Sequence, residues 1–217
     1  MTGGDAWRVL LDGSPGQKRA LLYHGERVRE AWHHFDHAPD LTGSVHRVRV
    51  DRMFAKLSRA TARLDDGTPV SIRVTARDAV RAGGLATVTI LSAPRDGKPW
   101  QAAVGARLVG PNVILLPGET GIAESRHLAC PPDDGVKARI AALCAAPPGF
   151  GVILRRTAGD AVDLTACVAR LIDDWRRDCR EPATTGCVHH GGDLRARVSR
   201  AVPDVDIEAV ADHQADA

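Results

Sequence analysis

Five short apolar runs follow one another between residues 41 and 110, and residues that favour turns separate them. The runs span residues 45–50, 54–64, 70–75, 86–92 and 100–108, and Gly43 precedes the first. The separators contain Asp65-Asp66-Gly67, Gly83-Gly84 and Pro94-Arg95-Asp96-Gly97. Four of the runs have six to nine residues and the run at 54–64 has eleven, and we interpret all five as strands. This regular spacing predicts a small closed β-barrel such as an OB-fold.

The composition is that of a soluble globular protein. The chain has 217 residues, 44% of them hydrophobic and 26% charged, which allows one large domain or two small ones. Aromatic residues make up only 4%, so Val, Leu, Ile and Ala must fill the core. No run approaches the roughly 20 apolar residues that a membrane helix needs, and the N-terminus lacks the pattern of a signal peptide. We therefore expect a cytoplasmic protein.

Charge is unevenly distributed although the net charge is only +2. Residues 41–110 contain twelve Lys and Arg against five Asp and Glu, whereas residues 201–217 contain five acidic residues and no Lys or Arg. A basic, β-rich segment predicts contact with a polyanion such as nucleic acid. The equally weighted alternative is a solvated arginine-rich surface. We expect the acidic tail to be a short helix or a frayed end that could mask the basic face.

Further strands and helices are predicted on both sides of the barrel. Residues 7–12 alternate as a strand, and residues 19–23 and 27–30 form a hairpin around His24-Gly25-Glu26, followed by an exposed polar stretch to Asp40. Residues 113–116 and 151–154 are predicted buried strands. Helices are predicted from Asp133 or Asp134 to Cys144, from Asp160 through an apolar stripe that ends at Trp175, and from Asp193 towards Val202. The fold class is therefore α+β.

The segment from Pro147 to Gly159 brings an arginine and a threonine to the end of an apolar strand, just before a predicted helix. An arginine fork, a threonine hydroxyl and free N–H groups at a helix start together suit a terminal phosphate. The alternative is an ordinary strand, turn and helix cap. These residues alone do not choose between the two interpretations.

Cysteine and histidine residues form two loose groups. The five cysteines (Cys130, Cys144, Cys167, Cys179 and Cys187) are odd in number and lack paired short spacings, so we expect reduced thiols. Metal ligands could come from His33, His34 and His37, which helical spacing would bring together, or from Cys179, Cys187, His189 and His190. Neither group has a Cys-x-x-Cys or His-Glu-x-x-His pattern. We favour structural or solvated side chains, and we assign no metal site.

Several short motifs occur in an order that resembles a known family. They are the hairpin Arg19-Ala20-Leu21-Leu22 to Gly25-Glu26-Arg27-Val28, the strand led by Gly43, Gly105-Ala106-Arg107-Leu108, Val113-Ile114-Leu115-Leu116-Pro117, Ser125-Arg126, and Gly149-Phe150-Gly151-Val152-Ile153 with Arg156-Thr157-Ala158. In this order they resemble the N-terminal half of the bacterial ribonuclease E/G family. The resemblance covers most of the chain.

The resemblance implies a split ribonuclease-H-like subdomain with an inserted OB-fold-like barrel and a C-terminal helical segment. Residues 1–40 are the hairpin part of that subdomain, and residues 41–110 are the RNA-binding barrel. Residues 111–200 are a sensor region with the rest of the subdomain, and residues 201–217 are the acidic tail.

The resemblance also implies the site residues. Arg156 and Thr157 match the family pair that contacts an RNA 5′-monophosphate, and the extra Arg155 leaves open which arginine faces the phosphate. Gly121 and Arg126 match a second segment of that pocket. Lys56 and Thr68 stand where the family barrel has aromatic and lysine contacts. Affinity would then come from RNA phosphates, with weak base selectivity, through these basic residues: Arg47, Arg49, Lys56, Arg59, Arg63, Arg73 and Arg77.

Family nucleases cleave RNA with acidic residues that bind magnesium in a later subdomain. We do not take the acidic residues between Asp204 and Glu208 as a substitute, so we expect no catalytic residues and no cofactor. The favoured function is an RNA-binding protein that senses 5′-monophosphate ends. Its partners would be single-stranded RNA and either a full-length ribonuclease or a second copy of itself, and no membrane. The alternatives are a minimal Mg²⁺-dependent endoribonuclease in RNA processing, and a fragment that folds but binds nothing.

Overall fold

The computed structural model of the chain describes residues 6–37, 40–110, 112–125, 131–146, 149–155, 163–202 and 205–210. Within these ranges the strands are β1 Trp7–Asp12, β2 Gln17–His24, β3 Arg27–Phe35, β4 Val45–Phe54, β5 Arg59–Arg63, β6 Pro69–Arg73, β7 Leu85–Ser92, β8 Trp100–Val104, β9 Leu108–Val109, β10 Val113–Pro117, β11 Ile122–Glu124, β12 Phe150–Leu154, β13 Gly186–His189 and β14 Ile207–Val210. The α-helices are α1 Asp134–Cys144, α2 Leu164–Asp178 and α3 Leu194–Ala201. The chain divides into two compact units. One unit consists of residues 1–40 and 192–217, and the other consists of residues 41–191.

Strands β4 to β8 form a closed five-stranded barrel. The order is β4-β5-β6-β8-β7, and pairing between β7 and β4 closes it. Neighbours are antiparallel except β6 and β8, which are parallel. Alternate residues such as Val48, Ala60, Ile72, Val88 and Ile90 are buried inside. The predicted closed barrel is therefore confirmed, and its strand order is compatible with an OB-fold.

Two predicted barrel strands are interrupted. A 3₁₀ helix, Ala55–Leu57, occupies the start of the run predicted at 54–64, and Ser58 follows it in the left-handed region with φ 50°. The chain must turn sharply there to bring β5 back against β4. The run predicted at 100–108 ends at Val104, because Gly105 (φ 91°) turns the chain away before β9 begins.

A second sheet and two helices complete the 41–191 unit. The sheet has the order β11-β12-β10-β9, and strand β13 pairs with barrel strand β4. Leu115, Phe150 and Leu154 of the sheet share one buried core with Ile140 of α1 and Leu171 of α2. The predicted bounds of α1 are confirmed, because Asp133 caps it by accepting a hydrogen bond from the Val136 N–H at 2.8 Å.

Helix α2 begins later than predicted. Asp163, not Asp160, is its N-cap, and the Asp163 carboxylate accepts a hydrogen bond from the Ala166 N–H at 3.0 Å. Asp160 lies outside the described residues. The helix then follows the predicted apolar stripe, because Leu164, Leu171 and Trp175 are buried.

The other unit is a four-stranded sheet with the order β14-β1-β2-β3. Strands β1, β2 and β3 form an antiparallel meander, and β14 pairs with β1 in parallel. Helix α3 covers the sheet by packing Leu194 and Val198 against Val9, Ala20 and Leu22. Residues 41–191 are inserted between β3 and α3.

Two predictions for this unit are partly wrong. The stretch predicted as exposed and polar up to Asp40 is largely exposed between residues 31 and 37, but strand β3 continues in it as far as Phe35, so His33 and His34 lie on a strand and not on a helix face. Within the tail predicted as a helix or a frayed end, residues 207–210 form strand β14, because Ile207 packs against the core of this unit, and residues 211–217 lie outside the described residues.

Among the cysteines of the described residues, Cys144, Cys179 and Cys187 are free thiols. Cys144 and Cys167 are buried, and burial raises the pKa of the Cys144 thiol. In the part of the chain that the structure describes, no helix is long and apolar enough to cross a membrane.

Candidate nucleic-acid interface

Strands β4, β5 and β6 place arginines on the outside of the barrel. Their apolar residues alternate into the core, so the intervening side chains point outward. A bulge between Val50 and Arg52 shifts the register of β4. Arg52 therefore also lies outward, opposite Thr61, and sequence analysis missed it because the bulge has no sequence signal. We call this set of residues the arginine face: Arg47, Arg49, Arg52, Arg59, Arg63 and Arg73.

Several of these guanidinium groups bond to backbone carbonyls. Such bonds orient a side chain but leave its positive charge without a counterion. The bonds are from Arg47 to Pro182 (3.1 Å), from Arg49 to Gly83 (2.8 Å) and from Arg63 to Gly67 (3.1 Å).

The arginine face has no short ion pair with a carboxylate in the part of the chain that the structure describes. Among the described residues, no ion pair within 4 Å joins one of its arginines to an acidic side chain. Two pairs of arginines, Arg49 with Arg63 and Arg59 with Arg73, instead stand directly opposite each other on neighbouring strands. Like charges in that position destabilise a sheet, so a bound polyanion would relieve the repulsion.

Arg59 is held by two side chains. Its Nη1 donates to Gln101 Oε1 at 2.6 Å and to Ser71 Oγ at 3.3 Å. Gln101 is fixed in turn, because its Nε2 donates to the Pro99 carbonyl at 2.7 Å. The guanidinium of Arg59 therefore has a set orientation on the face.

Exposed apolar side chains border the arginine face where β4 ends. Phe54 is 38% exposed and Leu57 is 70% exposed, and Lys56 lies between them in the 3₁₀ helix. Phe54 stands directly opposite Arg59 across the β4–β5 ladder. A surface that combines an exposed ring with unneutralised cations suits single-stranded nucleic acid.

The remaining predicted barrel contacts lie further away. Thr68 is in the β5–β6 turn, where its N–H donates to Asp66 at 2.8 Å and lowers the pKa of that carboxyl group. The whole of β5 separates Thr68 from Lys56, so the structure does not bring these two positions together. Arg77 is exposed in the connection between β6 and β7.

Only some of the residues predicted to contact a 5′-phosphate lie within the described ranges. Arg155 follows β12 directly; its N–H donates to the Asn112 carbonyl at 2.7 Å and its Nη1 to the Gly110 carbonyl at 3.2 Å. Arg155 thus links the end of β12 to the β9–β10 connection. Arg126, Arg156 and Thr157 lie outside the described residues.

Gly121 and Arg155 lie at opposite ends of two parallel strands. Gly121 precedes β11, and its carbonyl accepts from the Val152 N–H at 2.9 Å. The ladder pairs Glu124 with Leu154, so Arg155 is level with the far end of β11. Four residues of strand correspond to about 13 Å. The described residues therefore do not place Gly121 in one pocket with Arg155.

The start of α2 is not a free anion site. The carboxylate of Asp163 already accepts one of the N–H groups there and puts a negative charge at the positive end of the helix dipole. We therefore assign no phosphate contact to this helix start.

A buried histidine lies at one end of barrel strand β4. Ser44 donates its hydroxyl hydrogen to the Leu41 carbonyl at 2.6 Å, so the 2.8 Å contact with His46 Nε2 requires the imidazole to donate. Burial lowers the pKa of His46; Asp65 and Asp66 oppose the shift, and His190 adds to it. His46 is therefore a neutral structural residue at neutral pH.

We expect the protein to lose stability as the pH falls below about 6.5, because the unfolded chain then binds a proton at His46 that the folded chain resists. Above about pH 6.5, neutral His46 makes its full contribution to the free energy of unfolding. As the pH falls from there towards the lowered pKa of His46, this contribution decreases by up to about 1.4 kcal/mol per pH unit. Urea unfolding between about pH 5 and 7.5 measures it. His46→Gln should flatten the dependence, and exposed His37→Gln should not. If the free energy of unfolding depends on pH in the same way in the wild type and in His46→Gln, His46 is not the source of the dependence.

Metal-ligating side chains do not converge. Cys187 Sγ lies 3.4 Å from His190 Nδ1, and burial raises the pKa of Cys187. In the described ranges, no three His, Cys, Asp or Glu side chains are arranged to hold a metal ion. The interpretation of the two groups that the sequence singled out as structural or solvated residues stays a prediction.

Comparison with protein-family models and with curated proteins gave no match to this sequence. Function is therefore inferred from the geometry of the arginine face and of the strands around Arg155.

Proposed function

We propose that this protein binds single-stranded RNA on the arginine face of its barrel and distinguishes RNAs that carry a 5′-monophosphate. The observation that carries the proposal is the arginine face itself: six arginines on three adjacent strands without carboxylate partners among the described residues. Barrels of this strand order bind oligonucleotides on this kind of surface. Exposed Phe54 at its border favours single strands, in which bases are free to stack on a ring.

The architecture supports the resemblance to the ribonuclease E/G family. The sheet β14-β1-β2-β3 is assembled from two chain segments, and residues 41–191 are inserted between them. This arrangement fits the expected split ribonuclease-H-like subdomain that carries an inserted OB-fold barrel. A cytoplasmic location, where such an RNA ligand occurs, belongs to the same proposal.

The 5′-phosphate contacts are assigned to Arg156 and Thr157. Arg156 directly precedes Thr157 in the matched pair and is therefore the first candidate, and Arg155, whose side chain and backbone bond to Gly110 and Asn112, stays the alternative. Gly121 is not assigned a contact, because it precedes β11 at the other end of the ladder. Arg126 stays a prediction.

The test uses one short single-stranded RNA with either a 5′-monophosphate or a 5′-hydroxyl group. We expect the wild type to bind the monophosphate at least about tenfold more tightly, because a charge-assisted hydrogen bond contributes roughly 1.5–3 kcal/mol. Arg156→Ala should abolish this ratio and leave the 5′-hydroxyl affinity unchanged. Arg139→Ala, an exposed arginine on α1, is the control. An equal loss for both RNAs in Arg156→Ala would exclude the sensor assignment.

The same RNAs, incubated with and without magnesium, also test the alternative function. Magnesium-dependent cleavage that is absent from a mock purification would support an endoribonuclease. Binding without cleavage would support the favoured RNA-binding function. Failure to bind either RNA would overturn the proposal as a whole.

A further inference from the structure

We infer that the barrel contains one guanine-selective position, formed by the ring of Phe54 and the guanidinium of Arg59, with Gln101 as a positioning residue. The inference rests on the proposed RNA-binding function and goes beyond it. The charge of the arginine face alone predicts binding without base preference. The Phe54–Arg59 pair adds a fixed geometry that charge alone does not supply.

Arg59 differs from the other arginines of the face in how it is held. Its Nη1 group donates to both Gln101 Oε1 and Ser71 Oγ. This leaves the parallel N–H groups of Nε and Nη2, which have no hydrogen-bond partner among the described residues. Arg59 donates a hydrogen bond to Gln101, and Gln101 donates one to the Pro99 carbonyl. These two hydrogen bonds fix the plane in which the Nε and Nη2 groups of Arg59 lie. A preoriented fork loses less freedom on binding than a mobile one.

Phe54 supplies a stacking surface on the strand next to Arg59. Phe54 and Arg59 are directly opposite each other in the antiparallel ladder, so their Cβ atoms are about 5 Å apart on the same face. The Phe54 ring is exposed and can stack a base. In the inferred complex, a base stacked there directs one edge at the Nε and Nη2 groups of Arg59. Arg73, opposite Arg59 on the other side, is free to contact a phosphate.

The acceptor pattern selects guanine. On its Hoogsteen edge guanine presents two neighbouring acceptors, O6 and N7, which match two parallel N–H donors of an arginine. Adenine presents N7 beside a donor amino group, and uracil presents a single carbonyl on that edge. A phosphate could also occupy the fork, but that contact would not depend on the base. Base dependence is therefore the decisive readout.

The experiment compares oligouridine RNAs of about nine nucleotides whose central base is guanine, adenine, cytosine, hypoxanthine or 7-deazaguanine. We expect guanine to bind about tenfold more tightly than adenine. Hypoxanthine keeps O6 and N7 and should behave as guanine. Deazaguanine lacks N7 and should behave as adenine. A preference for cytosine, or equal affinities for all bases, would overturn the inference.

Three variants assign the preference to residues. Arg59→Lys keeps the charge but loses the fork, and should abolish the preference while oligouridine still binds. Gln101→Ala should reduce the ratio of guanine to adenine affinity without changing the salt dependence, which a loss of charge would change. Arg63→Lys, on the same strand but bonded to a backbone carbonyl, should keep the ratio.

The outcomes separate the two proposals. If the wild type binds none of these RNAs, the proposed function fails and this inference fails with it. If it binds all of them equally and with strong salt dependence, only the guanine position is wrong. A guanine preference that survives Arg59→Lys would also overturn the assignment.

Discussion

Replacing Arg52 and Arg73 together by glutamine is expected to weaken binding of single-stranded RNA about 25-fold at about 0.1 M salt. Each phosphate contact on a single strand contributes about 0.7 to the slope of log affinity against log salt, so two lost contacts lower that slope by about 1.4. Neither arginine makes a hydrogen bond or an ion pair with another described residue. Their loss therefore removes charge from the arginine face without removing a fold contact. Titration of a labelled RNA at several salt concentrations measures both quantities.

The matched control for this double variant changes the same charge elsewhere. Arg139→Gln with Arg170→Gln removes two exposed arginines from helices α1 and α2. We expect its affinity and its salt slope to stay close to those of the wild type. If both double variants lose the same affinity, the net charge of the protein and not the arginine face is responsible. If the arginine-face variant keeps its slope, the barrel does not contact phosphates there.

Arg47 and Arg49 are poorer targets for this experiment, although the sequence selected them first. Arg47 donates to the Pro182 carbonyl and Arg49 to the Gly83 carbonyl. Replacing either one removes a hydrogen bond within the protein as well as a charge. A drop in affinity would then combine a binding effect with a structural one, whereas Arg52 and Arg73 separate the two.

The barrel was predictable because its evidence is local. Alternation of period two and glycine-containing turns mark each strand in the sequence, and burial of Val48, Ile72 and Val88 follows from that alternation. The capping aspartates Asp133 and Asp193 marked two helix starts for the same reason, since a cap acts within one turn of helix.

Features that depend on strand register were not predictable. The β-bulge that turns Arg52 outward could not be identified from the amino-acid sequence. The bond between Arg59 and Gln101 depends on the strand order β5-β6-β8, which brings together residues 42 positions apart. The separation of Gly121 from Arg155 likewise follows from the parallel β11–β12 ladder. Spacing along the chain contains none of this information.

The acidic tail illustrates how tertiary contacts outweigh local preference. Its charge suggested a helix end or a frayed end, yet β14 pairs along four residues of β1. Ile207 reaches the core that α3 and the β1–β3 meander share. Full burial of such a side chain contributes roughly 1.5–3 kcal/mol. Ile207 is partly buried and gains part of this, in addition to the pairing of β14 with β1, so tertiary contacts outweigh local preference.

Gly191→Ala is expected to lower the free energy of unfolding by about 2–5 kcal/mol. Gly191 has φ 75°, a left-handed conformation that costs a residue with a Cβ atom about 1–2 kcal/mol. An added Cβ would also lie 3.0 Å from the backbone C of Gly43 and from the backbone N of Ser44. Backbone atoms cannot rotate aside as a side chain can, so overpacking adds about 1–3 kcal/mol. Urea unfolding measures the total.

Gly83→Ala isolates the contribution of that close approach. Gly83 has nearly the same conformation, φ 76°, but a Cβ added there would meet nothing within 4 Å. Gly83→Ala should therefore lower the free energy of unfolding by only about 1–2 kcal/mol, which is the cost of the left-handed backbone conformation. The difference between the two variants measures how tightly the backbone at Gly191 packs against the entry to β4, next to the buried Ser44–His46 pair. Equal losses would mean that the β4 entry can move away from residue 191, and that the Ser44–His46 pair is not rigidly fixed.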